Sequence, residues 1–123
     1  MSTVVDLRAA AAALTETWSP RVVAEVNGQL VKVVKVEGEF VWHDHAAEDE
    51  LFLVLDGRLE IRFEDRSDAV LGPGQLTVVP RGVRHNPRAP VPTLMALFEP
   101  VSTAHTGAEV TPITRTLAEQ TAA

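Results

Sequence analysis

From Arg21 to Pro100 short β-patterned runs alternate with glycine and proline punctuation. Val22, Val23 and Val26 lead into Asn27-Gly28, the dipeptide suited to the positive φ angles of a two-residue hairpin. Gln29 to Glu37 follows, with Val31 and Val33 on one face and Val34 and Val36 on the other, so burial on both sides is expected. Lys32 and Lys35 fall on opposite faces of this strand, and one of them can look inward. The stretch after Gly38 reads as a further strand carrying His43 and His45. Glu50 to Leu55 is strongly apolar and stops at Asp56-Gly57, a second hairpin signal. Arg58 to Phe63 alternates, with Leu59, Ile61 and Phe63 together. Ala69 to Leu71, Gln75 to Val79, Val83 to Asn86 and Thr93 to Glu99 complete a set of about nine strands with no helix between them. The pattern predicts an all-β antiparallel sandwich or barrel.

The flanks read differently. Asp6 to Trp18 predicts a short helix with Asp6 as N-cap and an apolar stripe of Leu7, Leu14 and Trp18, ended by Ser19-Pro20. Residues 1–20 are therefore expected to form an arm across a barrel at 21–100, outside any site. Residues 101–123 are polar and threonine-rich and are expected to form an extended strap, with His105 on its surface.

Composition narrows the chemistry. The 123 residues are 46% hydrophobic, enough for one folded domain. With no cysteine, a metal could be held only by nitrogen and oxygen. The net charge of −6 argues against a nucleic-acid partner, and Arg81, Arg84 and Arg88 read as a solvated loop. No basic leader and no apolar run of about 20 residues is present, so a cytoplasmic protein without a membrane partner is expected.

On a strand, His43 and His45 point to the same side and Asp44 to the other. Glu50 can return to that side from the next strand, and His85, after the Pro80-Arg81-Gly82 turn, can close the set. Three imidazoles and one carboxylate predict a site for one divalent transition metal ion: Fe, Mn, Zn, Ni, Co or Cu. Calcium and magnesium, which prefer oxygen ligands, are not expected.

These residues resemble the cupin superfamily. Gly38, His43, His45, Glu50 and Gly57 follow its first motif, with four residues rather than five after the first glycine. Gly74, Pro80, Gly82 and His85 follow the second, with Ala89 where that motif has asparagine. The resemblance implies a jelly-roll barrel (a double-stranded β-helix), a metal near its centre and a homodimer. The apolar outer face expected of Trp42, Leu51, Leu53 and Leu55 agrees with the dimer.

The resemblance implies no particular reaction. Alternation from Glu50 turns Phe52 and Val54 inward, and the last strand contributes Thr93, Met95 and Leu97 or else Leu94, Ala96 and Phe98. Phe52, Val54 and Met95 are the candidate pocket residues. Such an apolar cavity around a metal suits a small-molecule substrate. The leading expectation is Lewis-acid isomerisation or epimerisation of a small oxygen-bearing acid or enolisable carbonyl compound. Glu50, Lys32 and Lys35 are the candidate bases. An Fe(II)-dependent dioxygenase and a non-catalytic cupin that binds a small ligand are the alternatives.

Overall fold

The computed structural model describes residues 4–107, 111 and 114–121. Seven strands occur among them: β1 (Arg21–Val26), β2 (Gln29–Glu39), β3 (Glu50–Asp56), β4 (Leu59–Phe63), β5 (Ala69–Leu71), β6 (Leu76–Val79) and β7 (His85–Pro100). Helices α1 (Leu7–Ala12) and α2 (Leu117–Thr121) flank them. Every strand pairing is antiparallel, along the path β1-β2-β7-β3-β6 with β4 joining β5 and β7. The architecture is all-β and antiparallel, as the strand pattern predicts, and is the jelly roll that the resemblance implies.

The strand count differs from the expected set for two reasons. The His43–His45 segment forms only one isolated bridge, His43 to His85, because its other backbone groups serve loop contacts. The last two predicted strands are one, β7, which runs through Pro87, Pro90 and Pro92. Pro90 and Pro92 are exposed and lie where the β2–β7 register shifts, between Val36 and Gly38. Prolines have no N–H for a ladder, so the strand bends there. Its first half pairs with β4 and its second half with β3. This bend carries β7 around the barrel and sets His85 at one end of the same strand as Glu99.

The core is formed by Val34 and Val36 of β2, Phe52 and Val54 of β3, Leu59 and Ile61 of β4, Leu71, Val79, Met95 and Leu97. Val31 and Val33, on the other face of β2, are buried as well, and α1 packs against β2 and β7. Burial on both faces of β2 is thus realised.

Asn27 and Gly28 both adopt positive φ, 51° and 78°, as the hairpin reading requires. Gly57 makes the more demanding turn, at φ 94°. A Cβ there would sit 2.8 Å from the Pro92 carbonyl oxygen and overlap the Thr93 side chain. Thr93 cannot yield easily, because its hydroxyl joins Arg58 to Val91 through hydrogen bonds. Gly57→Ala is expected to destabilise the fold by about 3 kcal/mol. Denaturant unfolding checks this, and a change below about 0.5 kcal/mol would contradict it.

The flanks depart from expectation. Asp6 caps α1 by accepting from Ala9 N–H at 3.0 Å, but the helix ends at Ala12. Trp18 lies beyond it at φ 57°, held by its N–H to Lys35 O at 2.8 Å and its indole N–H to Glu37 O at 2.9 Å. It leaves the helical stripe because burying the indole against β2 is worth more than extending an alanine helix. The strap expected at 101–123 contains turns and α2; residues 108–110, 112–113 and 122–123 lie outside the described residues. Gln120 of α2 is buried and its amide donates to Arg115 O at 2.9 Å.

Candidate metal centre

His43, His45, Glu50 and His85 come from three parts of the chain and meet in the barrel interior. Each offers a ligand atom, and these atoms all lie within 4.8 Å of one another. Local backbone pairing explains the convergence. His43 and His85 exchange backbone hydrogen bonds at 3.0 and 2.9 Å, and Gly82 N–H donates to His45 O at 2.8 Å. Glu50 opens β3 opposite Val79, the end of β6. Loop, β3 and β7 are therefore fixed to one another at the point where the side chains emerge.

Ring orientation is also set. The Nδ1 atoms of His43 and His85 lie 2.9 Å from Val41 O and Val83 O, which makes each Nδ1 the donor and leaves each Nε2 a lone pair. His85 Nε2, both nitrogens of His45 and Glu50 Oε1 are buried without a hydrogen-bond partner. Orphaned buried polar atoms are costly, and here one from each of these three residues faces the others. His45 Nε2 and His85 Nε2 stand 3.4 and 3.6 Å from Glu50 Oε1, spacings expected of atoms about 2.0–2.2 Å from a common ion. The donor set fits a divalent transition metal.

Burial pushes the His43 pKa down to about 4, with His85 adding to the effect. Its imidazole is therefore neutral, the form that ligates a metal. Burial opposes ionisation of Glu50, but interactions with Glu99, His45 and His85 outweigh it and hold the carboxylate well below its usual range.

Behind Glu50 lies a buried pair, Lys32 and Glu99, joined at 2.6 Å. Lys32 is 1% exposed and is the inward lysine of β2. Lys35 is not at the site. It faces the opposite side of the strand and lines a surface hollow with Ala12, Asp56, Pro92, Thr93 and Leu94, which corrects its place among the candidate bases. Lys32 in turn is engaged by Glu99, whose Oε2 has no partner. Burial and the nearby Glu50 charge raise the Glu99 pKa well above the usual carboxylate range, against the pull of Lys32.

A narrow cavity of about 20 Å³ opens on His43, Glu50 and Glu99. Phe52, Met95, Leu97 and Pro87 line it, settling the last strand in favour of its Thr93, Met95, Leu97 face. Val54 is buried in the core below and does not reach the cavity, a second correction. Trp18, Phe40 and His105 also form its walls. The Trp18 and Phe40 rings stack at 4.8 Å, and His105 lies 5.2 Å from Phe40. The arm, expected to stay outside any site, and His105, expected on the surface, thus both contribute to it. A larger hollow of about 520 Å³, between α1 and the C-terminal segment, is lined by none of the four clustered side chains.

His105 is partly buried rather than a surface residue, and burial lowers its pKa to about 4. The unfolded chain therefore binds a proton at His105 below about pH 6.5 that the folded chain refuses until about pH 4. Stability from this group is complete above pH 6.5 and lost as pH falls toward 4. The unfolding free energy of wild type minus that of His105→Phe should be flat above pH 6.5 and shrink below it. A difference that grew on acidification would contradict this.

Arg81, Arg84 and Arg88 are paired with Asp49, Glu64 and Glu60. Among the described residues no helix is long and apolar enough to cross a membrane.

The cupin domain family profile matches residues 29–99, which include all four clustered side chains. The chain belongs to the cupin family. A cupin-2 domain containing protein from Shewanella frigidimarina shares 43% identity and superposes with a TM-score of 0.75, over 79% of this chain and 94% of that one. An uncharacterised Bacillus subtilis protein, YdbB, is 37% identical over 99 residues, 80% of this chain and 88% of its own. Hydroquinone 1,2-dioxygenase from Sphingomonas sp. TTNP3, with 4-hydroxybenzoate bound, superposes with a TM-score of 0.69 over 80% of this chain and 74% of its own. At 18% identity that likeness is one of fold. In this cupin, the residues sequence reasoning missed are Glu99, Trp18, Phe40 and His105. Glu99 was within reach, since it follows Leu97 by two on one strand face; His105 carried no such signal.

Proposed function

We propose that this cupin is a metal-dependent isomerase acting on a small oxygen-bearing acid or enolisable carbonyl compound. His43, His45, His85 and Glu50 would hold one divalent transition metal, which supplies Lewis acidity toward a substrate oxygen. The observation that carries the reading is Glu99: a buried carboxyl group in the same cavity, outside the ligand set, anchored by Lys32 and set beside Glu50, with Oε2 left without a hydrogen-bond partner of good geometry. Its raised pKa makes the ionised form a stronger base than an ordinary carboxylate. Glu99 Oε2 would take a proton from the carbon next to the substrate carbonyl. It would return that proton to a second carbon on the same face, so no proton is gained or lost overall. One mobile group on one face favours isomerisation over epimerisation, which needs delivery to the opposite face. The apolar walls would exclude water and keep the proton on Glu99. Lys32 would orient Glu99 rather than act as the base.

The test is metal reconstitution under anaerobic conditions, followed by a screen of small keto acids and hydroxy carbonyl compounds in deuterium oxide. Metal-dependent product formation without oxygen, abolished in Glu99→Gln, is expected. Oxygen consumption coupled to substrate loss would overturn the reading in favour of a dioxygenase. Ligand binding unchanged by metal removal would favour a non-catalytic cupin.

The reading includes a homodimer. Leu51 and Leu53 on β3 and the exposed Leu76 and Val78 on neighbouring β6 leave apolar surface outside the barrel. A two-chain mass by light scattering is expected, and a monomer would contradict it.

A further inference from the structure

The polar side chains that line the cavity from the barrel are Glu50 of β3, Glu99 of β7 and His43 of the loop before β3. One further polar side chain reaches the cavity from outside the barrel, His105 of the C-terminal segment. Its placement is enforced twice. Arg115 N–H donates to His105 Nδ1 at 2.8 Å. Gly107, at φ 66°, presses so closely on the Asp44 carbonyl that a Cβ there would overlap it. The segment is thereby tied to the loop that carries His43 and His45. Ser102 Oγ adds a hydrogen bond to Glu48 at 3.2 Å.

A backbone N–H can donate only to an unprotonated ring nitrogen. His105 Nδ1 is therefore an acceptor, and the single ring proton resides on Nε2. Nε2 makes no hydrogen bond among the described residues. The ring rests on Phe40, which stacks on Trp18 and meets His43 edge-on at 5.3 Å. A neutral N–H donor is thus presented at an apolar wall, on the same cavity as His43 and Glu50 of the cluster.

We infer that His105 is the ligand-orienting donor of this site, and that the ligand carries two oxygens, one for the metal and a second acceptor oxygen for His105 Nε2–H. This rests on the proposed function for the site but goes beyond it, because it assigns a substrate class and a residue outside both cupin motifs. Carboxylates and compounds with neighbouring oxygen functions satisfy it, whereas a compound with a single oxygen does not. The walls of Trp18, Phe40, Phe52, Met95 and Leu97 require the rest of the ligand to be small and apolar.

The test uses the full chain loaded with Co(II), whose visible spectrum reports both metal binding and ligand entry, with acetate as the probe. Wild type, His105→Phe and His105→Gln are compared. Phenylalanine keeps a ring against Phe40 but removes both nitrogens; glutamine restores an N–H donor. Equal Co(II) affinity in all three, with acetate binding weakened about tenfold in His105→Phe and largely recovered in His105→Gln, is expected. Equal acetate affinity in all three overturns the inference and leaves the metal centre standing. Wild type that binds no Co(II) overturns the proposed function and this inference with it. Co(II) affinity lost in His105→Phe alone overturns the inference in another way, by making His105 part of the metal support.

Discussion

Replacing His85 with alanine is expected to weaken divalent transition metal binding by more than about a hundredfold, beyond the 10–100-fold cost of losing a mere supporting contact. His85 is wholly buried, its Nδ1 fixed on Val83 O and its Nε2 aimed at the cluster. It is also the clustered side chain that the His43–Glu50 segment cannot supply, since it comes from β7, which bridges that segment at His43. Without it, two imidazoles and one carboxylate remain, open on one side to water. The measurement is chelator competition with Zn(II) or Co(II), accompanied by circular dichroism to show that the barrel is intact. His105→Phe serves as the contrast and should leave the affinity unchanged. Folded His85→Ala protein that binds metal like wild type would contradict the assignment.

Lys32→Met is expected to cost about 3–5 kcal/mol of folding stability, the usual penalty for breaking a buried ion pair from one side. Methionine fills similar space, so the loss is chiefly electrostatic. Glu99 would lose the one charge that favours its ionised form, with Glu50 still beside it, and would have to bind a proton to stay buried. For a chain of this size such a cost lowers the melting temperature by about 10–20 °C. The double variant Lys32→Met with Glu99→Gln should recover most of the loss, because the neutral amide needs no counter-charge. Paired denaturant curves decide the matter. A single variant within about 0.5 kcal/mol of wild type would show that the pair contributes no electrostatic support.

Much of this architecture is legible along the chain because the barrel is written in local signals. Asn27-Gly28 and Asp56-Gly57 mark hairpins by backbone chemistry alone, and alternation on β3 places Glu50 and Phe52 inward without knowledge of the partners. The ligand cluster is legible for the same reason, as spacing on extended chain plus one distant histidine. What was not legible depends on long-range packing. Trp18 follows a helical stripe in sequence, yet its indole is drawn off the helix by the Glu37 carbonyl and the Phe40 ring. His105 sits in a polar tail, and the Arg115 N–H bond and the close approach of Gly107 to Asp44 bring it to the cavity. Lys32 and Lys35 look equivalent in sequence. The side on which Glu99 waits separates them.

The central claim is that His43, His45, Glu50 and His85 hold a metal ion. Elemental analysis of protein purified without chelator tests it most directly. About one equivalent of a divalent transition metal per chain is expected, falling to background in His85→Ala. Wild-type protein with no bound metal, and none taken up from added Zn(II), Mn(II), Fe(II), Co(II), Ni(II) or Cu(II), would contradict it.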